Sequence, residues 1–185
     1  MYKLCKTEQS AARQRQLEQG LLQLMLTRRY EDISVSDLCD YMQAPRKSFY
    51  RYFSSKDGAL YALLDHTMLE FYEGNYQRDR TSSHLGDLEQ FFVFWYDHKD
   101  LMEALERSNL SGLLVERAAS LAMRERLIPG VLLNVDPQIL QIVLSFPVSG
   151  LLSMVIQWHK QNYSLSPAEM NRIATALLTK PMING

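Results

Sequence analysis

Residues 30–57 read YEDISVSDLCDYMQAPRKSFYRYFSSKD, a pattern typical of two short helices separated by a tight turn. Ser34 is a favourable N-cap, and Asp37 three residues later completes a capping box. Apolar residues in 35–42 then recur at the helical spacing i, i+3, i+4, i+7. Pro45 suits the first turn of the next helix, where the missing N–H has no intrahelical partner. The stretch therefore predicts a helix-turn-helix.

The helix after Pro45 concentrates positive charge on one side. Arg46, Lys47 and Arg51 alternate with hydroxyls and aromatics, and a helical wheel places them opposite Phe49 and Phe53. Such a face is often only solvated, but it also fits the major groove of B-DNA, where Arg binds guanine and Lys or Tyr binds phosphate. The serines at the start of the second helix, and Lys56 before the fourth, lie where helix N-termini favour phosphate. The predicted DNA-binding residues are Ser34, Ser36, Arg46, Lys47, Ser48, Tyr50, Arg51, Tyr52 and Lys56.

Helical periodicity extends along the rest of the chain, which has only eight glycines and six prolines in 185 residues. Apolar stripes predict a first helix over about 8–29 and a seventh over about 110–127, with a loop near 75–84 and a break at 128–136. Ser166-Pro167-Ala168-Glu169 combines an N-cap, a first-turn Pro and a capping-box Glu, so the last helix begins there. The sequence predicts an all-α fold of about nine helices.

Composition and charge narrow the classes further. Hydrophobic residues make up 46% and charged residues 22% of the chain, which excludes disordered and fibrous proteins. The net charge is -1, yet residues 1–60 hold ten Lys and Arg against seven Asp and Glu. Two cysteines are too few for a disulfide framework, and the four histidines lack metal-ligand spacing. We expect a reduced cytoplasmic protein without metal or cofactor.

Residues 137–159 contain no Asp, Glu, Lys or Arg and are long enough to span a bilayer of about 30 Å. Gln and Ser recur there at every fourth residue, which favours a packed helix over a membrane span. The first ten residues lack the apolar core of a signal peptide. The chain has no nucleophile elbow, phosphate loop, dinucleotide fingerprint or zinc motif, so we do not expect an enzyme.

The runs Tyr30 to Cys39 and Ser48 to Asp57, with their Tyr-x-Tyr-Phe-x-x-Lys pattern ending at Lys56, resemble the DNA-binding domain of the tetracycline-repressor family. The similarity covers about residues 12–64. It implies a helix-turn-helix DNA-binding domain at 1–55, followed by a helical effector-binding and dimerisation domain at 56–185. Trp158 followed by the motif that begins at Ser166 is like many members, whereas the middle of the chain matches only in helical layout.

Four positions depart from the pattern of that family, one of them Ala59, which stands where a leucine is common. Where many members have a turn glycine, this chain has Gln43, which costs about 1 kcal/mol if the turn needs a positive φ. Pro45 replaces a Ser or Thr cap, and Lys47 replaces a small residue. We expect a ligand-responsive transcriptional regulator, commonly a repressor in this family, that binds an inverted-repeat operator as a homodimer. The alternative is a co-regulator of the same fold without sequence-specific DNA binding.

An aromatic run at residues 91–96 and several methionines are candidates for an effector pocket. Five aromatic side chains and Val93 in six consecutive positions cannot all face one core, so some face a cavity, a partner or solvent. Packing on both sides of the helix is the plainer alternative. The predicted ligand-binding residues for an unknown small molecule are Phe92, Trp95, Tyr96, Met102, Met123, Met154 and Trp158.

The eighth predicted helix is apolar apart from one stripe of uncharged polar residues, and so much apolar surface requires burial on several sides. Its polar residues of small or medium size recur every fourth position and suit a groove for a neighbouring helix. We expect the last two helices to pair with their copies across a twofold axis, the alternative being burial within one chain. The predicted interface comprises Gln141, Ser145, Ser149, Leu152, Ser153, Ile156, Met170, Ile173 and Leu177.

Overall fold

The computed structural model describes residues 1–76, 88–124 and 136–179, and within these ranges the chain is all-α. The predicted fold class is confirmed, with nine α-helices in the described residues. They are α1 (Glu8–Met25), α2 (Val35–Tyr41), α3 (Arg46–Tyr52), α4 (Lys56–Tyr76), α5 (Leu88–Asp97), α6 (Lys99–Arg107), α7 (Ser111–Arg124), α8 (Pro137–Lys160) and α9 (Pro167–Thr179).

The chain divides into two compact units, with the division falling inside α4 and α7. The first unit comprises Met1–Met68 and Asp100–Leu113, and the second comprises Leu69–Lys99 and Leu114–Gly185. The predicted domain boundary after residue 55 stays a prediction.

In the first unit, α1 buries one apolar face formed by Leu17, Leu21 and Met25, all fully buried. Gly20 lies between these residues because Met42 of the turn after α2 packs directly on it. A Cβ at position 20 would lie 2.3 Å from the Met42 sulfur, so any larger residue there would require the Met42 side chain to move. The close contact holds α2, and the turn behind it, against α1.

The N-terminal arm, residues 1–6, returns along the start of α4. Tyr2 pairs with Phe53 in an isolated antiparallel bridge, and Lys3 N–H donates to Tyr52 O at 2.9 Å. The Tyr2 hydroxyl donates to Asp65 Oδ2 at 2.7 Å. These bonds fix the arm against the C-terminal end of α3.

In the second unit, α5 packs against α9 and contributes Phe92 and Trp95 to the core. Trp158 of α8 is also buried, and its indole N–H donates to Leu165 O at 3.0 Å in the connection to α9. That hydrogen bond ties the connection back to α8, which positions the two helices side by side.

One boundary differs from the sequence-based expectation. α1 ends at Met25 rather than Arg29, because Thr27 and Arg28 both donate their N–H to Leu24 O and close the helix. The Arg28 side chain instead reaches Asp37 Oδ1 at 3.1 Å, near the start of α2. The predicted loop near 75–84 and break at 128–136 fall almost entirely outside the described residues.

One described helix segment, Gln138–Lys160, is long and apolar enough to cross a membrane by length and composition alone. Only 22% of its most apolar window is buried, so the described residues leave much of this helix uncovered. The exposed positions include Ile142 at 71% and Phe146 at 68%. The described residues of one chain therefore leave much of α8 exposed, whereas the alternative to a twofold pair requires them to bury it.

Candidate nucleic-acid interface

The start of α2 is fixed by the predicted capping box. Asp37 N–H donates to Ser34 Oγ at 3.1 Å, and Ser34 N–H donates to Asp37 Oδ2 at 2.7 Å. Ser34 Oγ–H also donates to Asp37, and the Arg28 guanidinium donates to the other carboxylate oxygen. Hydrogen bonds from Ser34 and Arg28 hold the pKa of Asp37 far below its usual value. Asp37 is therefore ionised near neutral pH and complements the positive end of α2.

The turn between α2 and α3 places Gln43 in the left-handed region, with φ of 48°. Ala44 N–H donates to Cys39 O at 2.8 Å, and Gln43 N–H donates to Asp40 O at 3.1 Å. These bonds satisfy carbonyls at the end of α2 in the manner of a helix C-cap. The turn thus keeps the positive φ that glycine adopts most easily, although the residue is glutamine.

α3 is a two-sided helix of seven residues. Phe49 is fully buried and Tyr52 is 6% exposed, so these residues anchor the inner side. Arg46, Lys47 and Arg51 are exposed, and no acidic side chain occurs within the helix. The arrangement gives a short, rigid helix with three cationic side chains in solvent.

Tyr50 stands among these cations with 46% of its surface exposed. Its ring lies edge-on to Phe49, with centroids 5.4 Å apart. A side-chain hydrogen bond to Tyr50 raises the pKa of Arg46. The exposed side of α3 therefore offers one phenol and three permanent positive charges, a set that binds base edges and phosphates.

The remaining predicted DNA-binding residues have varied positions. Ser34 is exposed, and Ser36 and Ser48 are half-buried. Tyr52 is buried, with 6% of its surface exposed, although it also lines a polar groove beside Arg51. Its ring packs near Phe53, with centroids 6.3 Å apart. The described contacts give Tyr52 a packing role, and its predicted DNA contact stays a prediction.

Lys56, at the start of α4, is held by the backbone of another segment. Its ammonium donates to Tyr30 O at 2.6 Å and Ile33 O at 2.5 Å, and it lies 4.1 Å from the centroid of the Tyr30 ring. Burial lowers the pKa of Lys56, and nearby carboxylates oppose that shift. Two of its three N–H donors are thus engaged inside the protein, and one is available for a phosphate.

The predicted effector residues divide between the two units. Met102 is fully buried in the first unit, whereas the other six belong to the second. There the Trp158 ring lies 5.9 Å from the rings of both Phe92 and Tyr96. These rings pack on one another, and the predicted role of these residues in effector binding stays a prediction. Trp95 is 2% exposed, and its indole N–H has no hydrogen-bond acceptor among the described residues.

The predicted dimer residues are mostly accessible in the single chain. Leu152 and Met170 are exceptions, because both are buried within the second unit. Alongside the exposed residues of α8 and α9 lies an apolar groove of about 180 Å³, lined by Phe146, Pro147, Gly150, Leu151, Met154, Ala174, Leu177 and Leu178. The accessible predicted residues are Gln141, Ser145, Ser153, Ile173 and Leu177, with Ser149 and Ile156 half-buried.

Sequence reasoning missed two features of the first unit. One is the buried pair formed by Glu18 of α1 and His66 of α4, and the other is a polar groove beside α3 to which α1 contributes Arg13. Arg13 lies on the polar side of the α1 stripe, where it is indistinguishable by spacing from any solvated cation.

Comparison with solved structures finds proteins of the same fold. The structure is similar to that of the dihydroxyacetone kinase operon activator DhaS, with a TM-score of 0.59 and 14% identity over 90% of this chain and 93% of that one. It is equally similar to the fatty acid degradation regulator FadR from Bacillus halodurans, with a TM-score of 0.59 and 13% identity over 98% of this chain and 100% of that one. These likenesses establish a shared fold. No family model and no curated protein sequence match the chain.

Proposed function

We propose that this protein is a ligand-responsive transcription regulator of the tetracycline-repressor type, acting as a repressor on an inverted-repeat operator. The observation that carries the proposal is the outward cationic side of α3, positioned by a capped α2 and a tight turn. The similarity to an operon activator and a fatty acid degradation regulator supports the same class. Residues 1–55 form the DNA-binding part of this proposal, and 56–185 form the effector-binding and dimerisation part.

In this proposal α3 enters the major groove and Arg46, Lys47, Tyr50 and Arg51 make the contacts. Arginine can discriminate guanine by a bidentate hydrogen bond or, like lysine and tyrosine, position the protein on phosphates. Two copies of α3 in a dimer would contact successive major grooves about 34–36 Å apart, so the operator would be an inverted repeat.

The dimer in this proposal uses the uncovered sides of α8 and α9. Ile142 and Phe146 are large apolar side chains that a lone protein in water does not favour exposing together. A second copy brings the same surface and the same groove to the contact, as a twofold axis requires. Polar side chains such as Gln141 and Ser145 lie beside Ile142 and Phe146 in the sequence of α8, and they favour a protein over lipid as the surface that covers this helix.

The effector in this proposal binds in the second unit near Trp95. The buried indole N–H has no hydrogen-bond acceptor among the described residues, and a carbonyl or hydroxyl oxygen of a small molecule would supply one. If the effector fits only one of two spacings of the DNA-binding parts, its binding shifts the population and changes operator affinity. Replacing Trp95 by Phe keeps an aromatic ring at this position but removes the indole N–H, so it should weaken effector binding.

Selection of genomic fragments by the purified protein tests the proposed function. The expected result is enrichment of a fragment with an inverted repeat, whose binding is abolished in Arg46→Ala and Arg51→Ala variants in a mobility-shift assay. Binding to random duplex without an enriched site would favour the co-regulator alternative instead. No binding by wild-type protein, or equal binding by both variants, would contradict the proposal.

A further inference from the structure

A polar groove separates the first half of α1 from α3. It has a volume of about 500 Å³ and lies entirely within the first unit. The residues that line it in the described part of the chain are polar or cationic apart from one alanine, and none is a carboxylate. They are Gln9, Ser10, Ala12, Arg13, Gln16, Ser48, Arg51 and Tyr52.

Two guanidinium groups dominate the charge of the groove, one from each helix. Arg13 of α1 is exposed and donates from Nη1 to Gln16 Oε1 at 2.8 Å, a neutral partner that leaves its charge uncompensated. Arg51 of α3 is exposed and forms no ion pair with a described residue. Guanidinium groups together with serine hydroxyls are the donors that proteins use for phosphate.

The geometry of a helix in a major groove explains what would reach this site. An α-helix with its side chains is about 10–12 Å across, and the major groove is about 12 Å wide. The flanks of the helix therefore lie against the two sugar–phosphate backbones. Ser48 and Arg51 belong to α3 and also line the polar groove of the protein. The DNA sugar–phosphate backbone that lies against this flank of α3 would therefore come within reach of α1.

We propose that the groove between α1 and α3 binds a phosphate of the DNA backbone, with Arg13 and Arg51 as its cationic ligands. The inference rests on the proposed function, because it places a duplex on α3. It adds α1 to the interface and makes Arg13 a contact that carries affinity but no sequence preference.

The salt dependence of DNA binding tests this site. The probe is a random-sequence duplex of about 30 base pairs, long enough for both DNA-binding parts of a dimer. Its affinity is measured between about 50 and about 200 mM KCl for wild type and for Arg13→Gln. Loss of one phosphate contact should reduce the salt slope by about one unit per bound protomer, and the affinity by about tenfold per protomer at 0.1 M salt.

Arg15→Gln is the matched control, because Arg15 is also exposed and lies two residues along the same helix but does not line the groove. It removes the same formal charge and should leave the slope nearly unchanged. Arg13→Lys keeps the charge and should retain most of the slope. Circular dichroism establishes that each variant is folded.

Distinct outcomes separate the site from the function. If Arg13→Gln leaves the slope unchanged, or lowers it no more than Arg15→Gln, the phosphate site is overturned while DNA binding stands. If inorganic phosphate raises the melting temperature of wild type but not of Arg13→Gln, and the DNA slope is unchanged, the groove binds a free anion rather than DNA. If wild-type protein binds no duplex at about 50 mM salt, the proposed function itself fails.

Discussion

His66 Nδ1 lies 3.0 and 2.9 Å from the two carboxylate oxygens of Glu18, joining α4 to α1 inside the first unit. Glu18 is 1% exposed, and burial raises its pKa to about 8, with Arg15 at 3.7 Å opposing and Asp65 adding to the shift. The Tyr2 ring lies edge-on to His66, with centroids 5.4 Å apart, and the Cys5 thiol of the arm donates to Gln14 Oε1 of α1 at 2.9 Å. A proton is therefore held at a junction of α1, α4 and the N-terminal arm.

The raised pKa of Glu18 predicts that the chain loses stability as pH rises. An unfolded glutamate has a pKa near 4.5 and the folded one about 8, so between these values folding takes up a proton. The contribution of Glu18 is complete below the lower value and is lost as pH rises through the upper one. The Glu18→Gln variant keeps a hydrogen-bonding side chain without this titration, and its free energy of unfolding should depend less on pH.

Urea denaturation at several pH values between about 5 and 8.5 measures this effect. Glu103→Gln is a suitable control, because Glu103 is an exposed carboxylate in the same unit. It should retain the wild-type pH profile. A profile for Glu18→Gln that parallels that of wild type would contradict the assignment of the proton to this pair.

Lys56 provides a second prediction, because its ammonium donates hydrogen bonds to the protein backbone. Lys56→Ala removes two charge-assisted hydrogen bonds to Tyr30 O and Ile33 O, which should destabilise the chain by about 1–3 kcal/mol. The same variant should weaken binding to all duplexes if the third donor contacts a phosphate. Lys47→Ala is the comparison, because Lys47 is exposed on α3 and its loss should leave stability nearly unchanged.

Thermal denaturation and the mobility-shift assay together separate these two roles. Reduced DNA binding by Lys56→Ala at a temperature where the variant is fully folded would support the phosphate contact. Unaltered stability of Lys56→Ala would show that the two backbone bonds contribute little to folding.

The sequence predicted local features of the fold well and long-range contacts poorly. The capping boxes at Ser34 and Ser166 are both formed, the second through a bond of 2.8 Å from Ser166 N–H to Glu169 Oε2. Each such signal lies within four residues, where backbone geometry determines which atoms meet. The backbone partners of Lys56 lie 23 and 26 residues earlier, and His66, the partner of Glu18, lies 48 residues later. Sequence spacing alone does not reveal such contacts.

The candidate site shows the same limit. The exposure of Lys47 and Arg51 could be assigned from the helical wheel, because both lie on the side opposite the buried Phe49, whereas Arg46 is exposed in the first turn of the helix. Tyr52 shares that apolar side and is buried, although the family pattern suggested a DNA-binding role for it. A phenol fits either environment, and only packing decides between them. The contribution of α1 to the polar groove likewise depends on how two helices pack.

Gln43 provides a prediction about the turn before α3. Its φ of 48° places a side chain in a region that favours glycine, at a cost of about 1 kcal/mol. Gln43→Gly should therefore stabilise the chain by up to about 1 kcal/mol, less the entropy that glycine gains on unfolding. Chemical denaturation measures the change. The Gln43→Ala variant, which has a Cβ at the same φ, should show no such gain, and equal stabilisation by both variants would exclude backbone strain as the cause.

The uncovered sides of α8 and α9 give the last prediction. Phe146 is 68% exposed and lines the apolar groove that Leu177 and Leu178 also line, so one protomer folds without covering it. In the proposed dimer the twofold axis brings two copies of this surface together, and Phe146→Glu would bury an unpaired charge from each copy. Because each copy contributes one such charge, at about 3–5 kcal/mol each, the dimer dissociation constant should rise by about 10⁵-fold, which corresponds to about 7 kcal/mol.

Light scattering at about 10 μM, where a dimer of nanomolar affinity is fully associated, measures the molecular mass of each variant. Tyr41→Glu is the matched control, because it places the same charge on an aromatic residue that is 54% exposed in the first unit. It should remain a dimer, whereas Phe146→Glu should be a helical monomer. A wild-type monomer, or a Phe146→Glu variant that stays dimeric, would show that these helices do not pair, and α8 would then need another covering surface for Ile142 and Phe146, both more than two-thirds exposed.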